Sequence, residues 1–484
     1  MDKRLSENIL KNTALIKSIL KNDAILRVRQ FYIKNTQCTL FFLDGMVNNV
    51  ILNENVLEPL LCFDREIDTD IVSCILNRIL FAAESSKQEY IGEMLRALLY
   101  GDTLLLIDGS STAITINTKG WRTRGITESS DERVLSGPRE AFDESVMLNM
   151  AMIRRKLPTP DLCVENLNIG RRSDTRIFIT YLDSLVNRKA LNILRERIKK
   201  IDIDSILDSN YINELTNRNK FSLFKTAGST EKPDIVASRL LEGRIAVLVD
   251  GSPVVLTLPY LFSENFQSDD DYYLNYIFAF SGRMLRYVCF FLSISVPSLF
   301  LALITHHKQL VPTSFYLTIA TSMEKVPFPP LFECLLLIFI FEILREAGLR
   351  VPQGMGNALS IVGGLVIGQS AVEAGIVSAP LLIAVALSGI CGLMVMRLKS
   401  AVLYLRIFLA LLGSMFGLFG YFVGVFFILC HIFSLNSFGI NATSSLEDIC
   451  FQSLKDTIIR APWYKMNTRP ISLSKNRIRQ EEKK

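Results

Sequence analysis

Charged side chains stand inside a strongly apolar stretch of this chain, residues 331–347, where they are costly. A carboxylate or guanidinium in hydrocarbon costs about 2.5–3.5 kcal/mol even on insertion scales, so we expect these groups to face protein or water. The charged residues of this stretch are Glu333, Glu342, Arg345 and Glu346.

Helical geometry divides these acids between two faces. At about 100° per residue, Glu342 and Glu346 share one face, while Glu333 points to roughly the opposite side. Glu333 also lies in the first turn, where the helix dipole stabilises an anion. Glu342 and Glu346 can supply a carboxylate ring in an oligomer, which favours cations. Alternatively, they pair with Arg345, Arg350 or a partner subunit.

A glycine-rich segment, residues 354–370, follows the acidic stretch. Gly364 and Gly368 form a GxxxG pair, which permits close contact between helices. The segment is of marginal length for a membrane span, so it either crosses the membrane or re-enters it. With the charged residues above, we take Gly364, Gly368 and Gln369 as candidate pore or gating residues.

Aspartates at strand ends are a second candidate set. Two Asp-Gly-Ser turns lie 142 residues apart, at positions 108 and 250, and two further aspartates end apolar runs 139 residues apart. Catalysis by paired carboxylates is one interpretation, but Asp followed by Gly or Ser is the usual hydrogen-bonding turn residue. We therefore predict structural turns at Asp44, Asp108, Gly109, Asp183, Asp250 and Gly251.

The two pairs of turns keep their order and spacing, which predicts a duplicated α/β unit rather than chance similarity. Each unit should contain a strand, turn and helix, then a β-hairpin. We expect an amphipathic helix at 1–30, α/β subdomains at 31–135 and 165–282, a helical linker at 136–164, a transmembrane domain at 283–436 and a basic cytoplasmic tail at 437–484.

The predicted linker begins with a Gly-Pro pair and ends with a cationic run. Gly-Pro punctuates the chain before a helix start. The cations can hold phosphate, although a solvated face or an acidic neighbour is the simpler expectation. The linker residues of interest are Gly137, Pro138, Arg139, Glu140, Arg154 and Arg155.

Composition separates two halves of the 484-residue chain: charges are dense before about Met284, and long apolar runs follow it. The nine cysteines form no CxxC pair, and three histidines leave little for metal or triad chemistry. No P-loop, HExxH or GxSxG motif is present, so we expect no enzyme, metal or cofactor. The basic tail suits anionic lipid, or is simply solvated, and does not indicate nucleic-acid binding.

The apolar runs predict an α-helical polytopic domain of about six spans, or five if the glycine-rich segment re-enters. With six, the cytoplasmic flanks carry most of the cations, as the positive-inside rule requires. The chain starts with an amphipathic stretch rather than a signal peptide, so the N-terminal domain should be cytoplasmic. Spans are expected at 284–305, 331–347, 354–370 and 376–396 and as two short helices in 401–435, with an interfacial loop at 306–328.

Several longer motifs resemble the A subunits of bacterial spore germinant receptors, the GerA-type spore germination proteins. The similarity runs from about Phe31 to Arg469. The segments that carry it are GPREAF at 137–142 with Asn149 and Ile153-Arg154-Arg155, DGSP at 250–253, VPFP at 326–329, FEILREAG at 341–348, IVGGLVIGQ at 361–369 and AGIVS at 374–378.

This resemblance implies a multi-pass subunit in the spore inner membrane that relays nutrient sensing into germination. It implies a transporter-like B subunit and a lipoprotein C subunit as partners, oligomers of A subunits, and an ion-conducting pore. For a secondary transporter component, an inverted repeat among the spans would be expected. A non-conducting scaffold would need only the soluble domain and the packing glycines.

Overall fold

Two five-stranded antiparallel sheets form the first half of the chain, and long apolar helices form most of the second. Each sheet has helices on both faces. The computed structural model describes residues 4–21, 23–64, 70–82, 84–121, 132, 134, 136–218, 222–350, 364, 366–444, 455–470, 473–474 and 478–479.

The first sheet has the strand order β1-β2-β4-β5-β3. All five residues of β4 are buried, because helices cover both faces of the sheet. Two π-helical turns, Ile51–Leu57 and Ile75–Ile79, precede and follow short helices. The elements are α1 (Ile9–Ile19), β1 (Leu26–Ile33), β2 (Thr36–Leu43), α2 (Glu58–Leu61), α3 (Ile71–Cys74), β3 (Ser85–Gln88), α4 (Ile91–Leu99), β4 (Thr103–Ile107) and β5 (Ala113–Ile116).

The second sheet repeats this order as β6-β7-β9-β10-β8. The shared strand order supports the predicted duplication, and the hairpins β4–β5 and β9–β10 lie where the Asp-Gly-Ser turns predict them. The elements are α5 (Val146–Lys156), β6 (Leu162–Ile169), β7 (Thr175–Leu182), α6 (Arg188–Lys199), α7 (Ser209–Thr216), β8 (Gly228–Thr230), α8 (Pro233–Leu241), β9 (Ile245–Val249) and β10 (Val255–Leu258).

Helices α1 and α5 hold equivalent places in the two units. The Ile9 amide donates to Asp108 Oδ1 at 3.1 Å, and the Val146 amide donates to Asp250 Oδ1 at 3.0 Å. Each hairpin aspartate therefore satisfies a free amide at the start of the helix in its own unit. The sequence analysis predicts a linker helix in 136–164; in the structure α5 instead opens the second unit.

One hydrophobic core runs between the two sheets. It is built from α1, α4, α5 and α8 and from the facing sides of both sheets, so neither unit buries these residues alone. Burial of one large aliphatic side chain contributes about 1.5–3 kcal/mol. Buried members from both units include Ile16, Leu98, Leu106, Ile153, Leu240 and Leu248.

The apolar helices follow a short helix, α9, which ends the second unit. The predicted interfacial loop at 306–328 contains a helix, α11, because its semi-apolar run continues to Met323. The glycine-rich segment lies largely outside the described residues; its described end is helical. The helices are α9 (Asp270–Tyr273), α10 (Tyr276–Thr305), α11 (Thr313–Met323), α12 (Pro330–Arg350), α13 (366–373), α14 (Ala379–Leu393) and α15 (Lys399–Ser434).

Among the described residues, two helical stretches are long and apolar enough to cross a membrane. They are Tyr276–Thr305 and Met396–Ser434, with mean hydropathies of 2.3 and 2.1. The described part of α14 is shorter, at 15 residues. Six spans therefore remain a prediction.

Helix α15 is broken at Gly417, where φ is 64° and ψ is −146°. A Cβ added at Gly424 would lie 2.7 Å from Leu409, so the two halves fold back on each other. This agrees with the two short helices predicted in 401–435. Both ends of α15 reach the second α/β unit: Arg397, just before it, donates to the Glu264 carbonyl at 3.2 Å, and Ser437, just after it, accepts from the Tyr260 amide at 2.9 Å.

The described part of the basic tail packs against the second unit instead of lying free or on lipid. Arg469 donates to the Leu241 carbonyl at 2.7 Å, and Arg479 lies 3.5 Å from Glu242. Leu473 is fully buried. These two tail arginines therefore form contacts within the protein, with a backbone carbonyl and with a buried carboxylate.

Candidate functional site

Glu333 is fully buried near the start of α12. Its Oε1 accepts hydrogen bonds from the amide and, at 2.6 Å, from the hydroxyl of Ser378, which precedes α14. Glu333 thus joins the starts of α12 and α14. Within the described residues its Oε2 has no hydrogen-bond partner.

Glu342 forms an ion pair with Arg345 one turn later on α12, and both side chains are mostly buried. Glu346 pairs instead with Arg350, at 2.8 Å, and its side chain is 52% exposed. The two glutamates therefore differ in environment although they share a helix face. Both have an arginine partner within their own helix, as the alternative in the sequence analysis expects.

An open cavity of about 520 Å³ lies between α12, α13 and α14. Gly364 and Gly368 both line it, as does Arg345, so the structure brings these three candidate residues together. Gln369 does not line it; its amide donates to Glu373 at 2.9 Å on the exposed side of α13. Lys399 also lines it, and the other walls are apolar, including Leu344.

Arg406, which the sequence analysis missed, lies almost completely buried among the apolar helices, at 1% exposure. Its Nε donates to the Ser293 carbonyl at 3.0 Å, and its Nη2 donates to the Ser388 carbonyl at 3.1 Å. The Ser388 hydroxyl also donates to the Ser293 carbonyl, at 2.6 Å. Arg406 thus ties α15 to α10 and α14.

Pro297 explains why the Ser293 carbonyl is available. A proline inside a helix has no amide to donate to the carbonyl four residues earlier, and here that carbonyl belongs to Ser293. Arg406 and Ser388 supply the missing donors. An arginine within an apolar run is a signal for function that the sequence does carry.

A buried ionic junction joins the second unit to the start of α10. Arg283 Nε lies 3.2 Å from Asp271, and its Nη1 lies 3.2 Å from Asp456 of the tail. Arg286 also pairs with Asp271. Burial raises the pKa of Asp456 above its usual value, although Arg283 opposes this change. The first apolar helix, α9 and the tail therefore meet through paired charges.

The turn between α14 and α15 joins the same region through Arg397. Its guanidinium lies 3.3 Å from Asp269 and 4.0 Å from Glu132. Burial raises the pKa of Asp269, and Arg397 opposes the change. Burial also raises the pKa of Glu132, and the neighbouring Asp269 raises it further. Two carboxylates thus share one arginine at the base of the helices.

The predicted linker residues take structural contacts. Arg154 forms a fully buried ion pair with Asp23 of the first unit, and Arg155 pairs with Glu140. A Cβ added at Gly137 would lie 2.7 Å from the Tyr273 ring, and its φ is +123°. Pro138 is half-buried and Arg139 is exposed. These contacts connect the two units and α9.

The remaining turn aspartates also lie in ion pairs. Asp44 pairs with Arg27 at 3.1 Å. Asp183 pairs with Arg188 and with Lys21 of the first unit, which together hold the pKa of its carboxyl below the usual range. The turn glycines, Gly109 and Gly251, have φ of 78° and 89°, which favour glycine.

Comparison with known proteins finds sequence similarity to spore germination proteins along almost the whole chain. Residues 14–472 match the family model described as Bacillus/Clostridium GerA spore germination protein. Spore germination protein KA of Bacillus subtilis (strain 168) is 36% identical over 98% of this chain and 89% of its own. Spore germination protein GerLA of Bacillus cereus is 32% identical over 96% of this chain and 95% of its own.

A solved structure is also similar in sequence. The crystal structure of the N-terminal domain of the A subunit of the Bacillus megaterium spore germinant receptor GerK3 is 31% identical to this chain. The match covers 54% of this chain and 98% of that one, with a TM-score of 0.44.

Proposed function

Because the chain belongs to the Bacillus/Clostridium GerA family of spore germination proteins, we propose that it is the A subunit of a nutrient germinant receptor. It resides in the spore inner membrane and relays nutrient sensing into germination. Its partners are a transporter-like B subunit, a lipoprotein C subunit and further A subunits.

The observation that carries this proposal is the buried junction at Asp271. Arg283 and Arg286 of α10 hold this carboxylate of the second unit, and Arg397 of the α14–α15 turn holds Asp269 close by. A displacement of the α/β units therefore acts directly on two apolar helical segments. Relay between the two halves of the chain is the function that such a connection favours.

The same residues support an orientation. Arg283, Arg286 and Arg397 all lie on the side of the helices that meets the α/β units. Cations concentrate on the cytoplasmic side of membrane proteins. The α/β units and the described tail are accordingly cytoplasmic.

We further propose that oligomers of this subunit form a gated cation channel. Support comes from the acids of α12, of which Glu346 is exposed on the monomer and available to a conduit, and from the cavity lined by Gly364 and Gly368. A ring of carboxylates favours cations over anions.

Single-channel recording from the purified full-length protein in planar bilayers tests the channel. Gated cation conductance is the expected result. Ion-coupled flux of a solute would instead indicate a transporter component. Silence under conditions where the receptor complex assembles would indicate a non-conducting scaffold.

A further inference from the structure

Three neighbouring charged groups in the apolar helices each have an atom without a hydrogen-bond partner among the described residues. The atoms are Glu342 Oε1, Arg345 Nε and Arg406 Nη1, and all three are buried. Buried polar atoms are normally satisfied, and charged ones most of all. The two arginines thus each have an unused donor, and the glutamate has an unused acceptor.

The packing of α12 on α14 places these groups side by side. A Cβ added at Gly389 would lie 2.5 Å from the ring of Phe341, so α12 and α14 touch at this glycine. Glu342 follows Phe341 in sequence, and Ser388 precedes Gly389 and binds Arg406 Nη2 at 3.1 Å. The Arg406 guanidinium is attracted by Glu342 and repelled by Arg345.

We propose that Arg406 is a second charge partner of Glu342 and that transfer of Glu342 from Arg345 to Arg406 switches the apolar helices between two arrangements. This inference deepens the proposed function, because it assigns a gate to the same helices. Glu342 uses Oε2 for Arg345, so Oε1 is available to Nη1 of Arg406.

The surroundings leave space on the α12 side of this cluster. The cavity of about 520 Å³ borders Leu344 and Arg345, so α12 has space beside the present ion pair. Arg406 is held by the carbonyls of Ser293 and Ser388 on two other helices and is therefore the fixed partner. Glu342 is the group that moves, and Arg406 is a positioning residue.

A double-mutant cycle in three backgrounds tests this switch. The melting temperature of the purified full-length protein in lipid nanodiscs is measured for E342Q, R406Q and both together, in the wild-type, R345Q and R350Q backgrounds. R345Q removes the first partner, and R350Q is the matched control because Arg350 pairs, among the described residues, with the exposed Glu346 of its own helix.

The expected result is a coupling between E342Q and R406Q that is about threefold larger in R345Q than in the other two backgrounds. Equal coupling in all three backgrounds would overturn the switch. If R406Q does not fold, R406K provides the cycle, since lysine keeps the charge but lacks the two-pronged donor. The test needs neither nutrient nor conductance, so its failure leaves the proposed receptor function standing.

Discussion

The Nε atom of Arg406 lies 3.0 Å from the carbonyl oxygen of Ser293, the oxygen that Pro297 leaves without a helical donor. The carbonyl oxygen that lacks a donor on α10 and the guanidinium of α15 thus supply each other's hydrogen-bond partner. A buried cation is tolerated among apolar helices when backbone carbonyls receive its hydrogen bonds.

Restoring the missing amide should make Arg406 less important for stability. In the wild-type chain, R406Q should lower the free energy of unfolding by about 1–3 kcal/mol, because it removes the charge-assisted hydrogen bonds of Arg406 to the buried carbonyls of Ser293 and Ser388. In P297A, the new amide binds Ser293, and the loss should be smaller. Denaturant unfolding of the four proteins in detergent checks this; additive effects would contradict the pairing.

Neutralising Glu342 should impair the cation release that accompanies germination. E342Q removes one of the three negative charges of α12 while keeping the side-chain shape, and receptor assembly should be intact. Potassium release from spores on exposure to a nutrient panel, with subunit abundance by immunoblot, is the measurement. R171Q, which changes an exposed arginine of the α/β half, is the control and should release cations normally; normal release in E342Q would refute the channel assignment.

The pair of Asp23 and Arg154 should stabilise the contact between the two α/β units. Removing one partner strands a buried charge, so D23N should cost about 3–5 kcal/mol of unfolding free energy. R171A, which breaks an exposed pair with Asp202, should leave the free energy of unfolding almost unchanged. Guanidinium unfolding of the full chain distinguishes them, and equal effects would contradict the interpretation.

Gly417 should be irreplaceable at the turn of α15. Its φ of 64° disfavours an L side chain, and an added Cβ would lie 2.9 Å from His306. We expect G417A to cost about 1–3 kcal/mol from the backbone alone. G364A is the matched control, since a Cβ there would meet none of the described residues within 4 Å. A thermal shift of the same size in both variants would argue against the strained turn.

Glu242 should contribute stability that acid removes. Burial raises its pKa, but Arg244, Arg239 and Arg479 outweigh burial, so the net pKa is lowered. A lowered folded-state pKa stabilises the protein above the unfolded pKa of about 4.3, and this contribution is lost as the pH falls through the folded value. The melting-temperature difference between wild type and E242Q should therefore hold from pH 7 to about pH 5 and shrink as the pH falls below about 4.3; a difference that stays constant in this acid range would contradict it.

The repeat was readable in the sequence because tight turns have local chemistry. Asp-Gly-Ser at 108 and 250 sets a hairpin wherever it occurs between apolar runs. The equivalence of α1 and α5, the first helices of the two units, is harder to recognise in the sequence, because the main feature they share is one asparagine. Asn12 and Asn149 each bond the backbone of the residue six positions earlier, at Ser6 and Asp143.

The charge contacts of the helices could not be read in the same way. The rule for proline identifies the Ser293 carbonyl as unpaired, but sequence does not say which helix brings a donor. The partners of Glu342 and Glu346 follow from spacings of three and four residues within one helix. Arg406 depends instead on the packing of three helices, which no local pattern encodes.

The core between the two sheets has a mechanical consequence. A clamshell sensor binds its ligand in a cleft between two lobes and closes over it, which requires the lobes to separate. Here Ile16, Ile153 and Leu240 fill that space, and the pair of Asp23 and Arg154 seals it. The two lobes are therefore held together as one body, which contacts the start of α10 at Asp271.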